Sequence, residues 1–209
     1  MRYGKNKPDD KIQEIIDNCE KELLNSITPA YYYSIFNINH EPNKVTLENC
    51  DLSLIGEDIS NHLKDCNKAI LFCATLSHGP DKLIRINQVR DMTKSIIIDA
   101  LASAAIEQIC DLIQEEINER FPSLYQTWRF SPGYGDLPLD IQKEFINVLS
   151  ATKRAGISST NTNMLIPSKS VTAIIGLSEN IIPKQKRGCQ VCSLRETCVY
   201  RLKGEHCGF

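Results

Sequence analysis

Residues 91–120 read DMTKSIIIDALASAAIEQICDLIQEEINER, the strongest helical stretch of the chain. Its first part, SIIIDALASAAIEQIC at 95–110, is apolar almost all round, which predicts a helix held inside a core. Its second part, DLIQEEINER at 111–120, is charged and is expected to emerge into solvent. Pro122 stops the helix, since proline cannot continue the hydrogen-bond ladder. Upstream, KAILFCATL at 68–76 is a nearly continuous apolar run, expected to be a strand covered on both faces. His78-Gly79-Pro80 breaks it.

Outward from this pair, residues 9–26 form an amphipathic helix. Ile12, Ile15, Ile16, Cys19, Leu23 and Leu24 recur at helical spacing, with Asp9 and Asp10 in the first turn. Residues 31–38 and 44–54 read as extended, joined by the turn sequence HEPN. A short helix is expected over 56–63, a longer one over 139–154 closed by Gly156, and a strand over 171–177. Strands and long helices in this irregular order point to α+β rather than a doubly wound sheet.

The chain has 209 residues, 42% hydrophobic and 24% charged, as an ordinary globular domain does, so collagen-like and disordered classes are excluded. The formal net charge of −2 argues against a general nucleic-acid coat, which needs a basic surface. No uncharged apolar run approaches the ~18 residues that span a bilayer. The opening MRYGKNKPDD lacks the apolar core of a secretory signal, so a soluble, cytoplasmic protein without membrane or nucleic-acid partners is expected.

Nine cysteines are unevenly placed. Cys19, Cys50, Cys66, Cys73 and Cys110 are scattered and read as small core residues. Cys189, Cys192, Cys198 and Cys207 crowd into the last 21 residues, spaced C-x2-C-x5-C-x8-C. Residues 184–209 also carry six basic and two acidic side chains, a net +4 against about −6 for the remainder. The chain therefore divides into a domain at 1–183 and a small Cys-rich basic tail at 184–209. Four close thiolates suit an iron–sulfur cluster or structural zinc, with disulfides or free thiols as a third reading. Neighbouring Lys186, Arg187, Arg195 and Arg201 would lower the thiol pKa values.

Residues 129–138, RFSPGYGDLP, hold two glycines and two prolines and so fix an irregular backbone. Arg129 offers a bidentate donor for a carboxylate, Tyr134 a ring face and a hydroxyl. Gly133 lets backbone groups come close to a ligand. Such a loop suits a small zwitterionic or heteroaromatic ligand; a well-packed structural turn is the alternative. There is no GxGxxG after a strand, no Walker loop, no GxSxG, no HExxH and no evident Ser/His/Asp set.

The loop resembles the Arg-x-x-Pro-Gly-Tyr signature by which the reactivation domain of cobalamin-dependent methionine synthase binds S-adenosylmethionine. RYGKNKPDD, DISNHLKDCNKAILFCATL, DMTKSIIIDALASAAIEQICD and GISSTNTNMLIPSKSVTAIIG resemble stand-alone members of that family, in order, over nearly residues 1–180. The fold expected is α+β: a single domain with a twisted, mainly antiparallel sheet and long helices, plus the tail. The resemblance implies that Arg129, Phe130, Ser131, Gly133 and Tyr134 hold S-adenosylmethionine, with Glu107 on the long core helix contributing a carboxylate. A buried charge without a partner is costly, so Glu107, on an apolar helix, is expected to have one, either Arg129 or the ligand. The sequence departs from the family pattern where Ser123 and Asn161 stand in place of glutamates, and where Gly-Asp rather than Gly-Pro-Ala follows Tyr134.

The implied activity is reductive methylation of inactive cob(II)alamin, as part of a methyltransferase reactivation system. The implied partners are a cobalamin-binding methionine synthase or another corrinoid protein, and a flavodoxin- or ferredoxin-type electron donor. The protein would supply proximity and orientation rather than an acid or base, which agrees with the missing catalytic set. Two other readings are a non-catalytic corrinoid-protein docking module and an iron–sulfur redox protein with an unrelated partner.

Overall fold

The structure is a computed structural model and describes residues 8–182 and Glu196. The chain folds into two compact units interleaved along the sequence. Of the described residues, the first holds 8–34, 71–120 and 142–172, and the second holds 35–70, 121–141 and 173–182. The strands are β1 Ala30–Glu41, β2 Lys44–Leu47, β3 Ser53–Ile55, β4 Lys68–Thr75, β5 Tyr125–Gln126, β6 Ser158–Ser159, β7 Leu165–Ile166 and β8 Ser170–Ser178. One sheet runs in the order β3-β2-β1-β4-β8-β5 and a two-stranded one pairs β6 with β7. The pairs β1–β2, β2–β3, β5–β8 and β6–β7 are antiparallel. The expected α+β class with a mainly antiparallel sheet and long helices is what forms.

In the first unit, α1 spans Asp10–Ser26, and the Asp9 carboxylate accepts from the Ile12 N–H at 2.8 Å, satisfying one orphan donor of the first turn. Cys19 and Leu23 are buried, but Leu24 faces outward, so the apolar stripe is narrower than its spacing suggested. A helix absent from the sequence reading follows β4: α3, Gly79–Arg90. His78-Gly79-Pro80 ends the strand but also starts this helix, because proline is tolerated in the first turn. Gly79 is required here, since a Cβ would strike the Ser26 carbonyl oxygen at the end of α1.

The long helix α4, Met92–Arg120, forms where expected. Its burial does not match the expectation of an all-round core helix. Ser95, Ile98, Ala102, Ile106, Cys110, Ile113 and Ile117 form a buried stripe at steps of three and four, with Ile97 buried beside it, while Ile96 and Leu112 are exposed. The charged half is engaged with β1 rather than merely solvated. Tyr31 Oη donates to Glu116 at 2.5 Å, Tyr33 Oη donates to Glu116 at 3.3 Å, and Arg120 donates to Tyr33 Oη at 3.0 Å. The expected helix over 139–154 is two: α5 Gln142–Val148 and α6 Ala151–Ala155. Ser150, with φ 50° and ψ 37°, breaks it, and Gly156 with φ 69° closes α6.

In the second unit, Glu41 pairs with Lys44 across the Pro42-Asn43 turn, and the sheet continues to β3. Helix α2, Glu57–Leu63, buries Ile59 and Leu63. Gly176 of β8 lets the Cys66 thiol and Leu63 pack against the strand; a Cβ there would stand 2.5 Å from the Cys66 sulfur. Strand β4 is buried along almost its whole length, as its composition required. Among the described residues no helix is long and apolar enough to cross a membrane.

Candidate ligand-binding loop

The loop at 129–138 lies in the second unit and begins on a fixed anchor. Phe130 and Ile174 exchange both backbone hydrogen bonds, at 2.9 and 2.8 Å, and the Phe130 side chain is buried. Beyond it the backbone closes on itself. Tyr134 N–H donates to the Ser131 carbonyl at 3.0 Å, Gly133 N–H to Leu137 at 2.9 Å, and Leu137 N–H to Tyr134 at 3.1 Å. This tight path needs positive φ at Gly133 (83°) and Gly135 (54°). Pro132 and Leu137 point inward; Gly133 and Tyr134 face solvent.

Asp136 joins the loop to α2. Its carboxylate accepts from the Glu57 N–H at 2.6 Å and the Asp58 N–H at 3.1 Å, the free donors at the start of that helix. The approach is close enough that a Cβ on Gly56 would collide with Asp136, and one on Gly135 with Asp58. The Gly-Asp that follows Tyr134, where the family resemblance leads one to expect Gly-Pro-Ala, therefore has a structural role: it caps α2.

Four rings cluster behind the loop. His62 of α2, itself buried, lies 4.6 Å from Trp128 and 5.0 Å from Phe130, centroid to centroid. Trp128 and Phe130 are 5.2 Å apart, and Tyr134 meets each of them edge-to-face at 5.4 Å. Trp128 and His62 were not singled out in the sequence. Trp128 adjoins Arg129 in the chain and could have been flagged on that ground; nothing local marks His62, which arrives from a helix far upstream.

Arg129, Phe130, Ser131, Gly133 and Tyr134 thus share one loop, with Arg129 and Ser131 half-buried and Tyr134 45% exposed. Glu107 lies in the first unit, on the solvent face of α4. The premise that it is a buried charge is therefore corrected: position 107 lies on the exposed side of α4. Ser123 is exposed, and Asn161 is exposed in the β6–β7 turn, where Thr160 Oγ1 accepts from the Met164 N–H at 3.1 Å.

Among the described residues, no three or more His, Cys, Asp or Glu side chains are grouped to hold a metal. Cys189, Cys192, Cys198 and Cys207 lie outside the described residues. The scattered cysteines behave as core residues: Cys19, Cys66, Cys73 and Cys110 are buried, and Cys50 half-buried. Burial pushes the Cys66 thiol up to about 12 and the Cys73 thiol up to about 11.

Neither a family model nor a curated protein matches the chain. Solved structures do match. One is the crystal structure of the MetH reactivation domain bound to AdoHcy, with a TM-score of 0.63 and 14% identity, covering 94% of this chain and 74% of that one. At that identity the likeness is one of fold.

Proposed function

We propose that this chain binds S-adenosylmethionine at the 129–134 loop and acts as an accessory to the reductive methylation of cobalamin on a methionine synthase or another corrinoid protein. The observation that carries this reading is the shared fold with a reactivation domain solved with AdoHcy bound. The loop supports it, being held rigid at both ends with Tyr134 facing solvent. Arg129 is assigned to the ligand carboxylate, which its planar fork can hold with two bonds. Phe130, Ser131 and Gly133 contribute backbone groups, and Tyr134 its ring and hydroxyl.

Cobalamin, held by the partner, supplies the metal that accepts the methyl group, with one electron consumed per transfer and S-adenosylhomocysteine released. A flavodoxin- or ferredoxin-type donor, in the cytoplasm, would supply that electron. This chain needs no general acid or base for such a step. Its contribution is to hold the donor in one orientation and so remove the entropic part of the barrier. For residues 184–209, whose cysteines lie outside the described residues, the spacing alone supports an iron–sulfur cluster or zinc, with disulfides or free thiols as the alternative.

The test is to combine the purified protein with a cobalamin-binding synthase stripped of its own reactivation domain, a low-potential reductant and methyl-labelled S-adenosylmethionine. Label on cobalt is the expected result; label only in S-adenosylmethionine after prolonged incubation would contradict the reading. A second reading, a docking module without ligand, is favoured by Ser123 and Asn161, two exposed uncharged residues where the family resemblance expects glutamates. It requires association with the corrinoid protein to persist with no dependence on S-adenosylmethionine.

A further inference from the structure

Tyr134 lies between Gly133, φ 83°, and Gly135, φ 54°, so neither neighbour offers a side chain to hold its ring. Two rings form a wall against it. Tyr134 stands at 72° to Trp128 and 77° to Phe130, both at 5.4 Å, while Trp128 and Phe130 are tilted by only 34° to each other. Phe130 is locked by its backbone exchange with Ile174 and is buried. Trp128 is the half-buried part of the wall, backed at 4.6 Å by the buried ring of His62.

We propose that Trp128 is a positioning residue of the ligand loop, fixing the Tyr134 ring in the orientation that receives S-adenosylmethionine. The proposal rests on the loop reading given above. An edge-to-face ring pair restricts rotation of a side chain that is otherwise half in water, so its loss is felt as ligand affinity before it is felt as unfolding. Trp128 is also the sole tryptophan of the chain, so its emission reports on this corner of the molecule alone.

The test is a titration of the full-length protein with S-adenosylmethionine, followed by heat and by tryptophan emission. In the wild type the emission change should saturate together with the heat. Trp128→Leu should weaken binding about tenfold, the scale of one lost aromatic pair, and Trp128→Phe should restore most of it. In a Tyr134→Leu background, Trp128→Leu should cost nothing further, because the residue acts through that ring. Melting curves of each variant establish that it folds; if Trp128→Leu does not, Trp128→Met in the same two backgrounds decides. Wild-type heat with unchanged affinity in the folded variant would overturn this proposal and leave the loop reading standing. No wild-type heat at millimolar ligand would overturn both.

Discussion

Gly133 and the Cys66 and Cys73 thiols carry the sharpest consequences at the scale of single residues. The φ of Gly133, 83°, is one that L side chains rarely adopt, and a Cβ there would stand 3.3 Å from Leu139 Cδ1. Gly133→Ala should therefore cost about 1–2 kcal/mol, read as a lower urea midpoint; an unchanged midpoint would mean that the loop does not follow this path. Cys66 and Cys73 give a pH dependence. Desolvation raises Cys66 from 9.0 to about 12, with the Asp65 charge adding to it; desolvation raises Cys73 from 9.0 to about 11, partly offset by a backbone hydrogen bond from Tyr32. Between about pH 9 and 11 the folded chain keeps protons that the unfolded chain sheds. Stability must then fall as pH rises, by at most about 1.4 kcal/mol per pH unit for each thiol, with no such slope below about pH 8. Melting temperatures measured from pH 8 to 10.5 should show this decline, and it should flatten in the Cys66→Ala/Cys73→Ala double variant. An equal decline in that variant would assign it to other groups.

At the scale of elements, the loop and α2 are coupled through Asp136. Asp136→Ala removes the acceptor for the Glu57 and Asp58 N–H groups, exposed donors that water can partly satisfy, so about 1 kcal/mol of stability should be lost. Asp136→Asn should keep much of it, and thermal melts distinguish the two; equal melting of Asp136→Ala and wild type would deny the cap. Elements marked by a long uniform period were legible in the sequence: α1, α4, β4 and β8 lie within a few residues of where composition places them. Those set by a single residue in tertiary context were not. Helix α3 was hidden behind His78-Gly79-Pro80, read as a breaker when its proline sits in a first turn. The split of α5 from α6 depends on Ser150 taking a left-handed conformation, which nothing in its own residue type announces. The burial of α4 was misread because Ile96 and Ala104, both apolar, lie on its exposed face.

At the scale of the whole molecule, the sequence pattern led to an α+β fold and to one loop, and the arrangement of helices and sheet matches that of a reactivation domain at 14% identity. Fold alone does not fix chemistry, and the ligand claim stands on a handful of side chains. The loop residues were legible because they are contiguous. The backing of Trp128 by His62 was not, because His62 comes from α2, which only folding brings to the loop. The most direct measurement is calorimetric titration of S-adenosylmethionine into the wild-type chain and into Arg129→Ala. The account predicts saturable binding in the wild type and at least about tenfold weaker binding on loss of the bidentate arginine. No heat from the wild type at millimolar ligand, or equal affinity in Arg129→Ala, would contradict it.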